Sequence, residues 1–384
     1  MSSQSGKTPV RADVAVIGGG IAGVSAAAAT APTHAVALLE QESELGYHTT
    51  SRSAAVYIEN EGGPIFHRLS TASRPFFDAP HEVGGQATHF VTPMPVLSIG
   101  DESLQGPLAA EVREASNVTN SLEFVEGETL RELCPVLNTD VVTCGMYEPT
   151  AGSIDVMGVH QHFLREARSC GATVMRSAKV GSASRVDDGW RIQTAAGEVL
   201  AKIIVNAAGS WGDEVAASCG VGPIGLAPMR RTAFTAPSNI DPTGWPFIYS
   251  RIRDLECYFK AEAGSHLLCS LSDEQPSEPC DARPEEIDIA LAIERINTVS
   301  SLELRSVQTT WAGLRTFAPD RNPVFGWDDE VDGFLWMVGQ GGCGIVTSPV
   351  AGEIAAALIR GDALPDGVLT LGLTADQLGP GRLR

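Results

Sequence analysis

The chain has 384 residues and a net charge of −20, with 43% hydrophobic and 19% charged residues. This length allows a large core and favours two domains, whereas the negative charge argues against binding to nucleic acid or docking on anionic lipid. Eight cysteines without C-x-x-C or zinc spacing, and an N-terminus without an apolar signal segment or a membrane-spanning run, predict a cytoplasmic protein with free thiols and no metal site. We expect residues 1–13 to form a short disordered lead.

The first predicted element is a buried strand at Val14–Ile17, which runs into Gly18-x-Gly20-x-x-Gly23 and an alanine-rich helix. A second apolar strand follows and ends in Glu40, about 20 residues after the first glycine. Glycines in such a loop allow a tight turn and the close approach of a pyrophosphate to a helix N-terminus. The acid at this distance is typical of a ribose ligand, so the pattern predicts a dinucleotide-binding unit.

The middle of the chain alternates between two kinds of pattern. Residues 44–64 are polar, and a short helix over 66–80 is stopped by proline. Residues 86–145 mix short apolar runs with glycine and proline, which favours a strand-rich segment. A helix at roughly 156–169 then leads into strands, the last of which ends in a small-residue loop at 206–209.

The C-terminal part first repeats the strand-rich pattern and then returns to a glycine loop. Residues 225–310 alternate and are rich in turns, with one helix predicted near 284–299. The stretch GQGGCGIVTSPVAGEIAAALI, at 339–359, places four glycines among six residues before a helical pattern. It predicts a second strand, glycine loop and helix, hundreds of residues after the first.

This order indicates an interleaved α/β fold, a Rossmann-like FAD-binding domain with a strand-rich α+β substrate domain inserted into it. We assign 1–85, 146–224 and 310–384 to the FAD-binding domain, and 86–145 and 225–309 to the substrate-binding domain. A nicotinamide-dependent dehydrogenase usually keeps its Rossmann unit contiguous. A chain that returns twice to its dinucleotide domain more often encloses FAD.

Five segments, in this order along the chain, carry a resemblance to a known family. Together they resemble the D-amino acid oxidase superfamily of FAD-dependent oxidoreductases. Within it they resemble the glycine and sarcosine oxidase branch, and within that branch the bacterial D-arginine dehydrogenases. The resemblance extends over about 13–359. The segments are GGGIAG (18–23), HTTSRSAA (48–55), VNAAGSW (205–211), TWAGLRTFAPDRNPVFG (310–326) and GQGGCGIVTS (339–348).

The resemblance implies which residues contact FAD. The first glycine loop would hold the pyrophosphate, and a helix beginning near Ile345 would direct its N-terminus to the flavin N1–C2=O edge. Relatives with covalent flavin carry a cysteine where this chain has Gly313, so we expect non-covalent FAD. The implied cofactor contacts are Gly18, Gly20, Ile21, Ala22, Gly23, Glu40, Gln41, His48, Thr50, Arg52, Ser53, Ala54, Ala55, Val180, Ala207, Ala208, Gly209, Trp211, Gly313, Gly341, Gly342, Cys343, Gly344, Ile345, Val346 and Thr347.

The resemblance also implies a site for an amino acid. Arg315, Arg230 and Tyr258 match residues that bind the substrate carboxylate, and the carbonyl of Gly342 would orient the amine. The implied reaction is hydride transfer from Cα to flavin N5, with the amine proton lost to solvent or a water chain. The imino acid then hydrolyses to a 2-oxo acid and ammonia.

Several positions depart from the D-arginine dehydrogenases. Val96 stands where they have the glutamate that binds the guanidinium. Val56 stands in place of a histidine of their active-site loop, and Glu61 in place of a tyrosine of that loop. Val346 replaces a glutamine near the flavin. Loss of a buried acid should weaken the binding of a cationic side chain. We therefore expect a neutral or apolar D-amino acid. Glu61, together with Glu59, would restore an acid above the site, or else belongs to a solvated loop.

Other functions fit the same residues. Glycine, sarcosine or another secondary amine would use the same carboxylate site, a 2-hydroxy acid is a further substrate class, and a non-catalytic flavin-binding protein would keep the fold. The electron acceptor is left open between oxygen, a quinone and another protein. Reduction of the flavin by an added amino acid separates an enzyme from a flavin-binding protein.

Overall fold

A computed structural model describes residues 8–116, 121–262 and 264–384 of the chain. Residues 1–7 of the predicted lead lie outside the described residues. The rest of that lead is partly ordered, because Val10–Arg11 forms strand β1 and pairs in parallel with Val199 and Leu200.

A six-stranded sheet carries the two glycine loops. Its strand order is β12-β3-β2-β16-β24-β23, and every neighbouring pair is parallel except β23–β24. The inner strands are continuous apolar runs because both faces of the sheet are covered. The strands are β2 (Val14–Ile17), β3 (Val36–Leu39), β12 (Thr173–Met175), β16 (Ile203–Asn206), β23 (Val324–Trp327) and β24 (Phe334–Val338).

The topology brings the two glycine loops together. Helix α1 (Ile21–Thr30) follows β2, and helix α8 (Ser348–Arg360) follows β24 on the other side of β16. Parallel strands end at the same edge, so both loops and the small-residue loop after β16 lie side by side. The two helices pack closely, since a Cβ built on Gly352 would lie 2.6 Å from the Ser25 carbonyl oxygen. Helix α8 begins at Ser348, three residues later than expected.

A nine-stranded sheet forms the other half of the molecule. Its order is β21-β17-β20-β19-β18-β8-β10-β9, and β22 pairs with β17. The sequence analysis placed 310–317 with the FAD-binding segments, whereas β22 pairs antiparallel with β17 along its whole length. The strands are β8 (Val96–Gly100), β9 (Glu123–Glu126), β10 (Cys144–Glu148), β17 (Ala227–Pro237), β18 (Phe247–Ser250), β19 (Cys257–Glu262), β20 (His266–Ser270), β21 (Gln275–Pro276) and β22 (Thr309–Phe317).

The remaining helices cover these sheets. Helix α7 (Glu286–Val299) has bounds close to those predicted. It packs on β17, β19 and β20. Two short helices lie within 86–145, which the sequence analysis expected to be mainly strands. The other helices are α2 (Pro64–Asp78), α3 (Gln105–Ala115), α4 (Glu128–Leu133), α5 (Val156–Ser169), α6 (Gly212–Ser218), α9 (Asp366–Thr370) and α10 (Ala375–Leu378).

Three small sheets complete the fold, with orders β1-β15-β14-β13, β4-β11-β7 and β5-β6. Across the described residues, no helix combines the length and apolar character needed to cross a membrane. The strands are β4 (Val56–Tyr57), β5 (His81–Val83), β6 (Gln86–Thr88), β7 (Val91–Pro93), β11 (Gly152–Ile154), β13 (Val180–Val186), β14 (Gly189–Thr194) and β15 (Gly197–Ala201).

Candidate active site

A channel runs along the edge where the parallel strands of the six-stranded sheet end. Both glycine loops and the loop after β16 line it. Most predicted cofactor contacts lie here: Gly18, Gly20, Ile21, Ala22, Glu40, Gln41, His48, Thr50, Arg52, Ser53, Ala54, Val180, Ala207, Ala208, Gly209, Trp211, Gly313, Gly341, Gly342, Gly344 and Ile345.

The first glycine loop has no room for side chains. Gly18 has φ +111°, and a Cβ on it would lie 2.3 Å from the Ala207 carbonyl oxygen. A Cβ on Gly23 would lie 1.8 Å from the Gly18 carbonyl oxygen, so this glycine permits helix and turn to pack rather than facing the channel. Helix α1 therefore starts with bare backbone at the channel, which suits an anion.

Glu40 ties the end of β3 to the glycine loop. Its Oε2 accepts a hydrogen bond from the Gly19 amide at 2.8 Å, and its Oε1 accepts one from the Glu42 amide at 2.8 Å. Burial raises the pKa of this carboxyl. Because each carboxylate oxygen has two lone pairs, Glu40 keeps capacity for a hydroxyl donor in the channel.

Two predicted contacts have partners within the protein. The Arg52 guanidinium donates to the carbonyls of Ala282 (3.1 Å) and Ala312 (2.9 Å) and lies 2.5 Å from Asp281 Oδ1. The loop at 281–282 thus binds the guanidinium of Arg52, and Arg52 also lines the channel. The His48 ring packs on Trp211, with ring centroids 4.6 Å apart.

The second glycine loop is equally restricted by its neighbours. Gly341 has φ +54°, and its Cβ would lie 2.4 Å from the Phe317 ring. A Cβ on Gly342 would lie 3.0 Å from Arg315 Nη1, so the guanidinium packs directly on this peptide. Gly313 likewise leaves the channel wall without a side chain. Bare backbone at the N-terminus of α1 and in the second glycine loop, together with a carboxylate at the end of β3, fits the pyrophosphate, ribose and ring of FAD.

Five predicted cofactor contacts lie elsewhere. Gly23 and Thr347 do not line the channel, and the Thr347 hydroxyl donates to the Cys343 carbonyl at 2.9 Å. Ala55, Cys343 and Val346 line a second cavity. The sequence analysis also missed channel residues without a motif signal, among them Gly19, Tyr47, Thr49, Lys179 and Gln340.

The second cavity, which we call the chamber, has a volume of about 870 Å³. It lies between the nine-stranded sheet, helix α2 and the last glycine loop. Channel and chamber share a junction, so a molecule in the chamber reaches the channel there. The residues that line both are Ser53, Ala54, Arg231, Tyr258, Arg315, Gly342 and Ile345.

The arginine that lines the junction is Arg231, whereas Arg230, the predicted carboxylate ligand, lines neither cavity. Successive side chains of a strand point to opposite faces, and Arg230 points to helix α7. There it forms ion pairs with Glu285 and, at 3.0 Å, with Asp288. Arg231, whose register partner is Gly313, shares the site-facing side with Arg315 on the neighbouring strand.

Arg231 is buried and held in place. Its Nε donates to the Asp273 carbonyl at 2.6 Å, and Nη1 donates to Ser272 Oγ at 3.1 Å. Burial lowers the pKa of its guanidinium, and the positive charge of Arg315 lowers it further. Two like charges in a buried junction favour an anionic ligand between or beside them.

Two tyrosines face the chamber side by side. Tyr249 and Tyr258 are register partners on adjacent strands, and Tyr258 is 3% exposed. Burial raises the pKa of Tyr249, and the charge of Glu61 raises it further. The sequence analysis identified Tyr258 but missed Tyr249, which has no motif around it.

The chamber contains carboxylates despite Val96. Glu148 is the register partner of Val96, 2% exposed, and accepts hydrogen bonds from the Glu59 amide (2.7 Å) and Asn60 Nδ2 (3.1 Å). Burial raises the pKa of Glu148 to about 7. Glu61, Glu111 and Glu114 also line the chamber. The expectation of a neutral or apolar side chain rested on the missing acid at position 96, and the structure removes that ground.

Comparisons with known proteins agree with this geometry. The family model of DAO, FAD dependent oxidoreductase, matches residues 13–358. Dimethylglycine dehydrogenase of Homo sapiens is 30% identical over 214 residues, 55% of this chain and 25% of that protein, so the chain spans about a quarter of its length.

Two further matches extend over nearly the whole chain. Glycine oxidase of Bacillus licheniformis is 23% identical over 364 residues, 92% of this chain and 94% of that protein. The crystal structure of L-proline dehydrogenase from P. horikoshii superposes with a TM-score of 0.83 at 19% identity, covering 98% of each chain.

Proposed function

Because this chain belongs to the DAO family of FAD-dependent oxidoreductases and its cofactor is FAD, we propose that it oxidatively deaminates D-amino acids to 2-oxo acids and ammonia. The observation that carries the proposal is the junction at which Arg231, Arg315 and Tyr258 meet the last glycine loop. The preference for the D-enantiomer rests on the resemblance of the motifs.

The junction fits the α-carboxylate of an amino acid. Each arginine presents a planar fork that binds a carboxylate with two hydrogen bonds, and the Tyr258 hydroxyl adds a third donor. The mutual repulsion of Arg231 and Arg315 is relieved when an anion binds. Gly342, on which the Arg315 guanidinium packs, offers its carbonyl to the amine. A substrate held at both ends presents a fixed Cα–H.

When bound, FAD supplies a two-electron acceptor that takes a hydride at flavin N5. The protein binds the carboxylate, orients the neutral amine and shields the junction, since Tyr258 and Arg231 are buried. Loss of hydride from Cα leaves an imino acid, and water then displaces ammonia to give the 2-oxo acid.

We propose that FAD is held non-covalently. Gly313 offers no nucleophile, and burial strongly raises the pKa of the Cys343 thiol, which disfavours the thiolate. Acid precipitation of the yellow protein should leave the flavin in the supernatant. Flavin that stays with the pellet, together with a protein mass increased by one FAD, would contradict this.

The size of the chamber favours a substrate larger than glycine. About 870 Å³ is within the range of sites for drug-sized ligands, and its lining includes Phe247, Met146 and Val96 beside the carboxylates. The named relatives favour a second candidate, oxidation of glycine, of the tertiary amine dimethylglycine, or of a secondary amine such as sarcosine. A non-catalytic flavin-binding protein would have no need for the paired arginines.

The proposal is tested by anaerobic titration of the purified holoprotein with D- and L-amino acids, glycine, sarcosine and dimethylglycine, followed by flavin absorbance. Bleaching by D-amino acids with side chains supports the proposal. Bleaching only by glycine or secondary amines supports the second candidate, and bleaching by none of them contradicts both. After the flavin has been reduced anaerobically, oxygen or a quinone is added. The compound that restores the absorbance of oxidised flavin is identified as the electron acceptor. We also propose a cytoplasmic location. The eight cysteines, all described and all free, support this proposal.

A further inference from the structure

Glu61 is an acidic side chain that lines the chamber together with Arg231 and Arg315, the arginines proposed to bind the carboxylate. We propose that Glu61 binds the ammonium group of the substrate and sets the pH range over which that group releases its proton to solvent. The inference rests on the proposed function and identifies a specificity-determining residue for it.

The backbone that follows Glu61 positions it against the last glycine loop. Gly62 and Gly63 have φ +85° and +92°, conformations that residues with a Cβ rarely adopt. A Cβ on Gly62 would lie 2.9 Å from Cys343 Sγ and 2.8 Å from the Phe66 ring. The segment is exposed to solvent on one side and approaches Cys343, the residue next to Gly342, on the other.

Electrostatic effects connect Glu61 with the junction. Besides burial, the charge of Glu61 raises the pKa of the Cys343 thiol, and the charge of Arg315 lowers it. Glu61 also raises the pKa of Tyr249, and it lines the same chamber as Arg315 and Cys343. The junction carries the positive charges of Arg231 and Arg315, and the adjoining chamber wall carries the negative charge of Glu61.

This charge separation complements the zwitterion of an α-amino acid. With the carboxylate on the arginines, the ammonium lies toward Gly342 and the loop that carries Glu61. A 2-hydroxy acid has the carboxylate but no cation, so Glu61 would give it no binding energy. The same residue therefore discriminates amines from hydroxy acids.

The carboxylate also affects catalysis. The ammonium must lose a proton to water before its nitrogen lone pair can assist departure of the Cα hydride. A carboxylate beside the ammonium favours the protonated form, so its removal lowers the pH at which the bound amine becomes neutral. Among the described residues, the other titratable or charged groups that line the chamber are Tyr249, Tyr258, Arg231, Arg315, Cys343, His67, Arg68, Arg251, Glu111, Glu114 and Glu148.

The test compares Glu61→Gln with wild type, using the amino acid that reduces wild-type flavin fastest. We expect KM to rise tenfold or more and the midpoint of the kcat–pH profile to move to lower pH. Inhibition by the 2-hydroxy acid analogue of the substrate should not weaken. Glu61→Asp should restore part of both effects. Glu128→Gln, the same change at an exposed residue that lines neither cavity, should leave KM and the profile unaltered.

Unchanged KM and pH profile in Glu61→Gln, at normal flavin content, would overturn the inference while the proposed function stands. An equal loss of affinity for substrate and for the hydroxy acid analogue would also overturn it, because it would indicate only a structural effect. If Glu61→Gln yields no holoenzyme, Glu61→Asp carries the same test, with smaller shifts in the same directions expected. Wild-type flavin that no amine reduces would refute the proposed function itself.

Discussion

The FAD channel and the chamber are built from different materials. The channel consists largely of main chain, where glycines remove side chains and helix α1 begins. The chamber is defined by side chains from six or more separate segments, among them Glu61, Tyr249, Arg231 and Arg315. Steric requirements fix the first region, whereas strand register and side-chain direction determine the second.

The difference shows where each region can be altered. At Gly18 in the channel, one added methyl group would displace main chain, because a Cβ there would lie 2.3 Å from the Ala207 carbonyl oxygen. In the chamber, adjacent residues of one strand have unrelated roles, since Arg230 faces a helix and Arg231 faces the junction. Substitutions chosen in matched pairs test both halves of this comparison.

The largest effect is expected for Gly23→Ala. Its Cβ would lie 1.8 Å from the Gly18 carbonyl oxygen, so the turn must open, and we expect little or no flavin-loaded protein. Gly106→Ala in helix α3 is the control, because a Cβ there has no neighbour within 4 Å. Alanine should stabilise that helix by up to about 1 kcal/mol. Flavin content and thermal unfolding measure both, and normal flavin loading of Gly23→Ala would refute the steric account of the channel.

The second prediction compares neighbouring arginines. Arg231→Met should lower kcat/KM about 30-fold or more, because truncating one partner of a buried charge pair costs about 2–5 kcal/mol. Arg230→Met should instead lower the free energy of unfolding by about 3–5 kcal/mol, since Asp288, which is 5% exposed, loses its cation.

Steady-state kinetics, normalised to flavin content, measure the loss of kcat/KM. Unfolding in denaturant measures the loss of stability. Activity lost in Arg230→Met, with Arg231→Met active, would reverse the assignment of the two faces.

The third and smallest effect concerns Glu148. Burial raises its pKa from 4.5 to about 7 in the folded chain, so the folded state binds more protons than the unfolded state between these values. The free energy of unfolding should therefore fall as pH rises from about 4.5 to about 7, by at most about 3 kcal/mol from this group.

In Glu148→Gln this fall should be reduced, with the largest gain over wild type above pH 7. Urea unfolding at several pH values measures it, with Glu128→Gln on the surface as control. Parallel pH dependences of wild type and Glu148→Gln would show that the neighbouring Glu59 or another group is responsible.

The sequence predicted the channel well because its requirements are local. A few consecutive residues are enough to identify each of its main features. These are the glycine loop after Val14–Ile17, the acid at Glu40 and the second glycine loop. The sequence predicted the chamber less well because its residues meet through the pairing of strands that are distant in the chain, among them β8, β10, β17, β18, β19 and β22. Nothing local distinguishes Arg230 from Arg231.

Two other misses have the same origin. Tyr249 became visible only as the register partner of Tyr258. Glu148 became visible only as the partner of Val96, about 50 residues away in the chain. Both pairs depend on long-range strand pairing, which residue patterns leave open.

The most direct test of the central claim is a crystal structure of the holoenzyme with 2-methylalanine, an amino acid that lacks a Cα–H and so cannot be oxidised. The account predicts its carboxylate on Arg231, Arg315 and Tyr258, its ammonium toward Gly342 and Glu61, and Arg230 still paired with Asp288. A carboxylate bound elsewhere in the chamber, or an Arg230 turned toward the ligand, would contradict it.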